Sequence, residues 1–208
     1  MSYRPPLLRA LAAMGHRVFG PSSRDYDLQI VGIRRAVSLG DPDHYSDDLV
    51  VSWQQSGIWR QFSAALSTTP GTYYLEHPMR PAEGCAIMAP GQYQAYTRGL
   101  HKGRRALVQR AGPVRWYRDN DRDSQIMELG PDTETQEGYA GLNIHGGSRF
   151  AREDSEVADG AGRVGRFSAG CQIAHPDDIA FLMELADRQV AAGMGDKFTY
   201  TLIREEDL

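Results

Sequence analysis

No stretch of this sequence approaches the run of about 18 apolar residues that a membrane-spanning helix requires, so none is expected. The opening Met1-Ser2-Tyr3-Arg4-Pro5-Pro6 leads into an apolar run that Arg9, His16 and Arg17 interrupt, with no cleavage pattern after it. A secretory signal is therefore not expected. Cysteine is scarce: only Cys85 and Cys171 are present, too few for a disulfide framework, and their spacing demands no bridge. The six histidines include no HExxH pair, and there is no CxxC, no Gly-rich phosphate loop and no dinucleotide fingerprint. Excess positive charge is missing too. The net charge of −4 argues against nucleic-acid binding by bulk electrostatics.

What the chain does have is an ordinary apolar fraction, 41%, with 22 glycines and 11 prolines in 208 residues. That balance suits a globular chain of short strands and many turns rather than a helical bundle. Leu7, Leu8, Leu11 and Met14 form a helical stripe between Pro5 and Gly15, within an N-terminal extension over 1–27. Strand-like runs follow: LQIVGIRRAV from Leu28, DLVVSW from Asp48, IWRQFSAAL from Ile58, and TYYL from Thr72. CAIMAPGQYQAY from Cys85, ALVQ from Ala106, VRWY from Val114 and GLNIH from Gly141 continue the series. Pro176, Asp177 and Asp178 open one good helix whose apolar face is Ile179, Leu182, Met183, Leu185 and Ala186. KFTYTLI from Lys197 is a last strand before a charged tail. No internal repeat and no break in composition divide the chain. The expectation is one domain over 1–208, mainly β, with an N-terminal and a C-terminal helix. Gly130–Gly138 reads as a loop, and 146–167 as a long lid loop.

The two ends of that lid carry the chemistry. Asn143-Ile144-His145-Gly146-Gly147 precedes it, and Ser168-Ala169-Gly170-Cys171-Gln172 follows it. A cysteine needs a base to act as a nucleophile near neutral pH, and His145 is the natural one. Gly170 permits a tight turn, and the Gly170 and Cys171 amides are candidate donors to an oxyanion.

This pattern, His145-Gly146 followed by Ser168-x-Gly170-Cys171, resembles the active-site signature of the L,D-transpeptidase cysteine enzymes. The resemblance implies a β-sandwich or barrel fold and action on peptidoglycan stem peptides. It implies Cys171 as nucleophile, His145 as base, and Ser168 and Gly170 as shapers of the nucleophile turn. Gly146 would orient the base through its backbone. The flanking Asn143, Gly147, Ala169 and Gln172 are the expected substrate contacts. The sequence departs from the family pattern at Ala169, where a second histidine is common, and at Ile173, where Arg or Asn is common. The chain is also similar to phage and prophage proteins of this kind. The expected activity is that of a hydrolase, an L,D-carboxypeptidase or endopeptidase, rather than a crosslinking transpeptidase. Such an enzyme would be made in the cytoplasm and reach the cell wall on lysis or injection. The alternative is a non-catalytic phage or envelope protein of the same fold.

Other features have plainer explanations. Asp119, Asp121 and Asp123 alternate as in the first half of a calcium loop, but Ser124 replaces the turn glycine and Gly130 the bidentate glutamate. A solvated turn is expected, with no cofactor, and calcium is the alternative. A zinc site from His77, His145 and Cys171 is a further one. Cys85 is expected in the core. His101-Lys102-Gly103-Arg104-Arg105 is a basic turn, either solvated or in contact with acidic groups of a polymer.

Overall fold

Strand β1 (Gln29–Arg34) is buried at every residue, so its near-continuous apolar run has two faces to cover. Ile30 faces a core shared with Leu49 and Val51 of β2 (Asp47–Gln55), while Val31 and Ile33 face Leu8 and Leu11 of helix α1 (Pro6–Ala13). The amphipathic stripe of α1 thus docks on the outside of the sheet, and the N-terminal segment is part of the domain core. The computed structural model describes residues 4–20, 25–126, 129, 133–148 and 163–208. The fold is mainly β.

Eight strands close into a barrel. They are β1, β2, β3 (Ile58–Ser67), β5 (Gly91–His101), β6 (Arg104–Gln109), β9 (Ile144–Gly146), β10 (Gln172–Ala174) and β11 (Phe198–Arg204). Their order is β1-β11-β5-β6-β9-β10-β3-β2. The pairs β1/β11 and β9/β10 are parallel, and the other neighbours run antiparallel. Closure leaves no open edge in this sheet. A second sheet, β4 (Cys85–Met88), β7 (Val114–Asp119) and β8 (Gln136–Gly138), lies in the order β4-β7-β8.

Helix α4 (Pro176–Ala191) begins as its sequence signals. Pro176 stands in its first turn, the His175 ring accepts the Asp177 N–H, and Asp177 and Asp178 face the positive end of the dipole. Ile179, Leu182, Met183, Leu185 and Ala186 join Ile30, Tyr96, Ile144 and Tyr200 in the main core. One face of the second sheet forms a smaller core with Leu75, through Cys85, Ile87 and Tyr117.

The structure corrects four local expectations. Thr72–Glu76, expected as a strand, is a short helix, α3. The Asp43 carboxylate accepts the Thr72 N–H, and the Gly71 carbonyl accepts Tyr74 and Leu75 N–H, so local bonds override the β preference of Thr-Tyr-Tyr. Val37, expected to end the strand-like run from Leu28, instead opens one helical turn, α2 (Val37–Gly40). The loop expected at Gly130–Gly138 contains β8, and the charged tail winds into a 3-10 turn at Glu205–Asp207. Of the expected lid over 146–167, residues 149–162 lie outside the described residues.

Candidate active site at Cys171 and His145

Parallel pairing of β9 with β10 brings the two expected catalytic residues onto one surface. Ile144 lies beside Gln172 and His145 beside Ile173. Gln172, Ile144 and Ala174 point inward: the Gln172 carboxamide accepts the Tyr200 hydroxyl at 3.1 Å, and the other two join the main core. The period of two then sends His145, Cys171 and Ile173 outward together. Ile173 is fully buried there against Tyr45 and Val164. An apolar side chain at that position therefore does packing work.

Turn chemistry holds Cys171. The Ser168 hydroxyl donates to the Cys171 carbonyl at 2.7 Å and accepts the Gly170 N–H at 3.0 Å. The Ser168 carbonyl accepts the Gly71 N–H at 3.0 Å, tying the turn to the start of α3. Gly170 sits at φ +131°, and a Cβ there would come within 2.2 Å of the Ala86 carbonyl oxygen. Both conformation and space require glycine. Gly170→Ala is expected to destabilise the protein by at least about 2 kcal/mol in urea denaturation. A cost within about 0.5 kcal/mol would mean that the turn relaxes freely.

His145 is held by its own strand. Nδ1 of His145 lies 2.9 Å from the Gly146 carbonyl. A carbonyl only accepts, so Nδ1 carries the proton and Nε2 is a bare lone pair. That Nε2 is buried and has no hydrogen-bond partner among the described residues. Burial pulls the His145 pKa down to about 4, with the Gly146 bond opposing and His101, Lys102 and Arg104 adding to the fall. Burial also pushes the Cys171 thiol up to about 11, against the pull of the Asn143 backbone bond and of Lys102. At neutral pH the pair therefore rests as thiol and neutral imidazole, not as an ion pair.

Two adjoining cavities flank the pair. One, of about 450 Å³, is lined by Cys171 and Ala169 together with Arg80, Lys102, Arg118 and Arg166. No carboxylate lines it among the described residues. Glu83 pairs with Arg80 and Arg118 from outside, and Arg166 lies 3.9 Å over the Tyr73 ring. The other, of about 290 Å³, is lined by His145, Gly146 and Arg104. His101, Lys102, Arg166 and Phe167 border both.

Three of the expected substrate contacts line neither cavity. Gln172 faces the barrel interior. Gly147 is buried where a Cβ would meet the Tyr45 hydroxyl at 2.2 Å. Asn143 is half-buried with its carboxamide engaged: its Oδ1 accepts the Gln109 N–H at 2.9 Å, and its Nδ2 lies 3.0 Å from Nδ1 of His101. Of the expected oxyanion donors, the Gly170 N–H is already taken by Ser168.

Two residues gain importance that sequence reasoning did not give them. His101 stacks on His145 with ring centroids 4.1 Å apart and planes 18° apart. Gln109 accepts the Gly141 and Leu142 N–H groups at 2.8 and 3.1 Å, holding the approach to β9. The Lys102-Gly103 turn, with φ +48° and +79°, is a two-residue hairpin that ends β5 at His101. The hairpin was legible, but not the strand that it would face.

The remaining candidates are not brought together among the described residues. Asp119 is buried on β7, and Asp121 and Asp123 are exposed, accepting the N–H groups of Asp123 and Gln125. His77 is exposed and stacked on Tyr73. Among the described residues no three His, Cys, Asp or Glu side chains are grouped to hold an ion. Cys85 is buried and free, its thiol donating to the Tyr74 carbonyl and pushed up to about 12 by burial. Among the described residues no helix is long and apolar enough to cross a membrane. Comparison of the chain with family models, with curated proteins and with solved structures gives no match.

Proposed function

We propose that this chain is a cysteine acyl-transfer enzyme of the L,D-transpeptidase kind, acting on peptidoglycan stem peptides with water as its usual acceptor. The observation that carries this reading is the His145 ring. Its proton is committed to Gly146, and its buried Nε2 lone pair lies on the same outward surface as Cys171. A buried acceptor without a partner is costly, and such a cost is retained where the atom has work to do.

The reaction follows from these groups. As Sγ of Cys171 attacks a peptide carbonyl carbon, Nε2 of His145 takes the thiol proton. The tetrahedral intermediate collapses, the C–N bond breaks, and the amine leaves with the proton from His145. Water then attacks the thioester while His145 removes its proton. The C–S bond breaks, and the proton returns to the sulfur. Lys102 and Arg166 give the cavity an affinity for the carboxylates of a stem peptide.

The test is a digest of purified peptidoglycan by the unaltered protein and by Cys171→Ala, read by mass spectrometry of the muropeptides. Shortened or released stem peptides from the unaltered protein only are expected. New crosslinks would make the acceptor an amine. Identical products from both proteins would remove Cys171 as nucleophile. A second reading, a non-catalytic binding protein of the same fold, is favoured by the raised thiol pKa and the occupied Gly170 amide. It predicts no product from either protein.

A further inference from the structure

An acyl-transfer site needs donors for the oxyanion, and one of the two backbone candidates here is spent. The Gly170 N–H is held by the Ser168 hydroxyl, while the Cys171 N–H has no acceptor among the described residues. A second donor must come from a side chain.

His101 meets the requirements. It lines the cavity that holds Cys171 as well as the one that holds His145. Its tautomer is set by a relay that starts in the backbone. Oδ1 of Asn143 accepts the Gln109 N–H, so the other end of that carboxamide is the NH₂ group, and it donates to Nδ1 of His101. Nδ1 is therefore the acceptor nitrogen, and the single proton of the neutral ring sits on Nε2. That N–H has no partner among the described residues. Burial and Lys102 hold the His101 pKa below its ordinary value, so the ring stays neutral at pH 7.

We infer that His101 is a second catalytic histidine, whose Nε2–H binds the oxyanion beside the Cys171 N–H while its ring face holds the base His145. This rests on the acyl-transfer reading of the site. The role separates two reactions of the same sulfur. Attack on the carbonyl of p-nitrophenyl acetate passes through an oxyanion, whereas displacement of iodide from iodoacetamide does not.

The experiment measures both rates at one pH in the unaltered protein, in His101→Phe and in His145→Gln. Phenylalanine keeps a ring against His145 but removes the donor. The ratio of acylation to alkylation is expected to fall about 30-fold or more in His101→Phe, and to recover in part in His101→Gln, which restores an N–H donor. A ratio that does not fall in His101→Phe overturns the inference and leaves the acyl-transfer reading standing. If neither reaction of Cys171 depends on His145, the reading of the site fails, and the donor role fails with it. Nitrogen NMR of the imidazoles in the unaltered protein needs no variant to fold. It is expected to show His101 neutral and protonated at Nε2, and a proton on Nδ1 overturns the inference.

Discussion

His145→Gln is expected to slow acylation of Cys171 by p-nitrophenyl acetate by about 10³-fold at pH 7. The size follows from the resting state of the pair. A thiol pushed up to about 11 is only about one ten-thousandth ionised at pH 7, so without a base almost no sulfur is reactive. The pH dependence separates loss of a base from loss of structure. Because burial lowers His145 to about 4, its lone pair is free from about pH 5 upward. The unaltered protein should therefore gain activity as pH rises through about 4 and hold a plateau across neutrality. His145→Gln should lose the plateau and climb tenfold per pH unit toward the thiol pKa, so that the two proteins converge above about pH 10. Equal rates at pH 7 would remove His145 as the base. An equal deficit at pH 7 and pH 10 would assign the loss to damaged packing.

How much of this was legible beforehand can be judged residue by residue. Elements with one strong local signal were readable: the β5–β6 hairpin from its Lys-Gly turn, and α4 from Pro176 and its acidic first turn. The turn at Cys171 was readable because Ser168, Gly170 and Cys171 are neighbours in sequence and bond to one another. Orientation was not. Gln172 and Cys171 are adjacent, yet the pleat sends one to Tyr200 inside the barrel and the other to the cavity. Which side faces in depends on the register of β10 against β9 and β3. His101 is separated by 44 residues from the ring that it stacks on, and only barrel closure through β6 and β9 brings them together. The strand expected at Thr72 failed for the opposite reason. The bonds that wind it come from Asp43 and Gly71, which the run Thr-Tyr-Tyr does not reveal.

The largest expected loss of stability belongs to a residue outside the site. Asp47→Ala is expected to cost about 3–5 kcal/mol, a large share of the 5–15 kcal/mol typical of a domain. The Asp47 carboxylate is 2% exposed and accepts four bonds: the Arg35 N–H, the Ser38 hydroxyl, and the N–H and hydroxyl of Thr68. Thr68 in turn accepts Arg34 through its hydroxyl at 2.8 Å and its carbonyl at 2.9 Å. Arg34 is buried as well, and Asp47 is the charge that favours its ionised form there. Alanine at 47 would remove the acceptor of four donors, leaving the Ser38 hydroxyl its bond with Ser46, and would leave a buried guanidinium without its counter-charge. Asp47→Asn should cost nearly as much, because its NH₂ group would face donors on one side. Adding Arg34→Met to Asp47→Asn should recover part of the loss, since removing both charges spares the desolvation of either one. Urea denaturation of the three variants measures this, and a cost under about 1 kcal/mol for Asp47→Ala would show that water replaces the carboxylate. The node also bears on the chemistry. The chain that leaves Thr68 reaches Gly71, whose N–H holds the Ser168 carbonyl, and Ser67 pairs with Ile173 two residues beyond the nucleophile. Under conditions where Asp47→Ala is still folded, acylation of Cys171 should therefore fall too, because the turn that aims the sulfur is anchored to the segment that Asp47 holds.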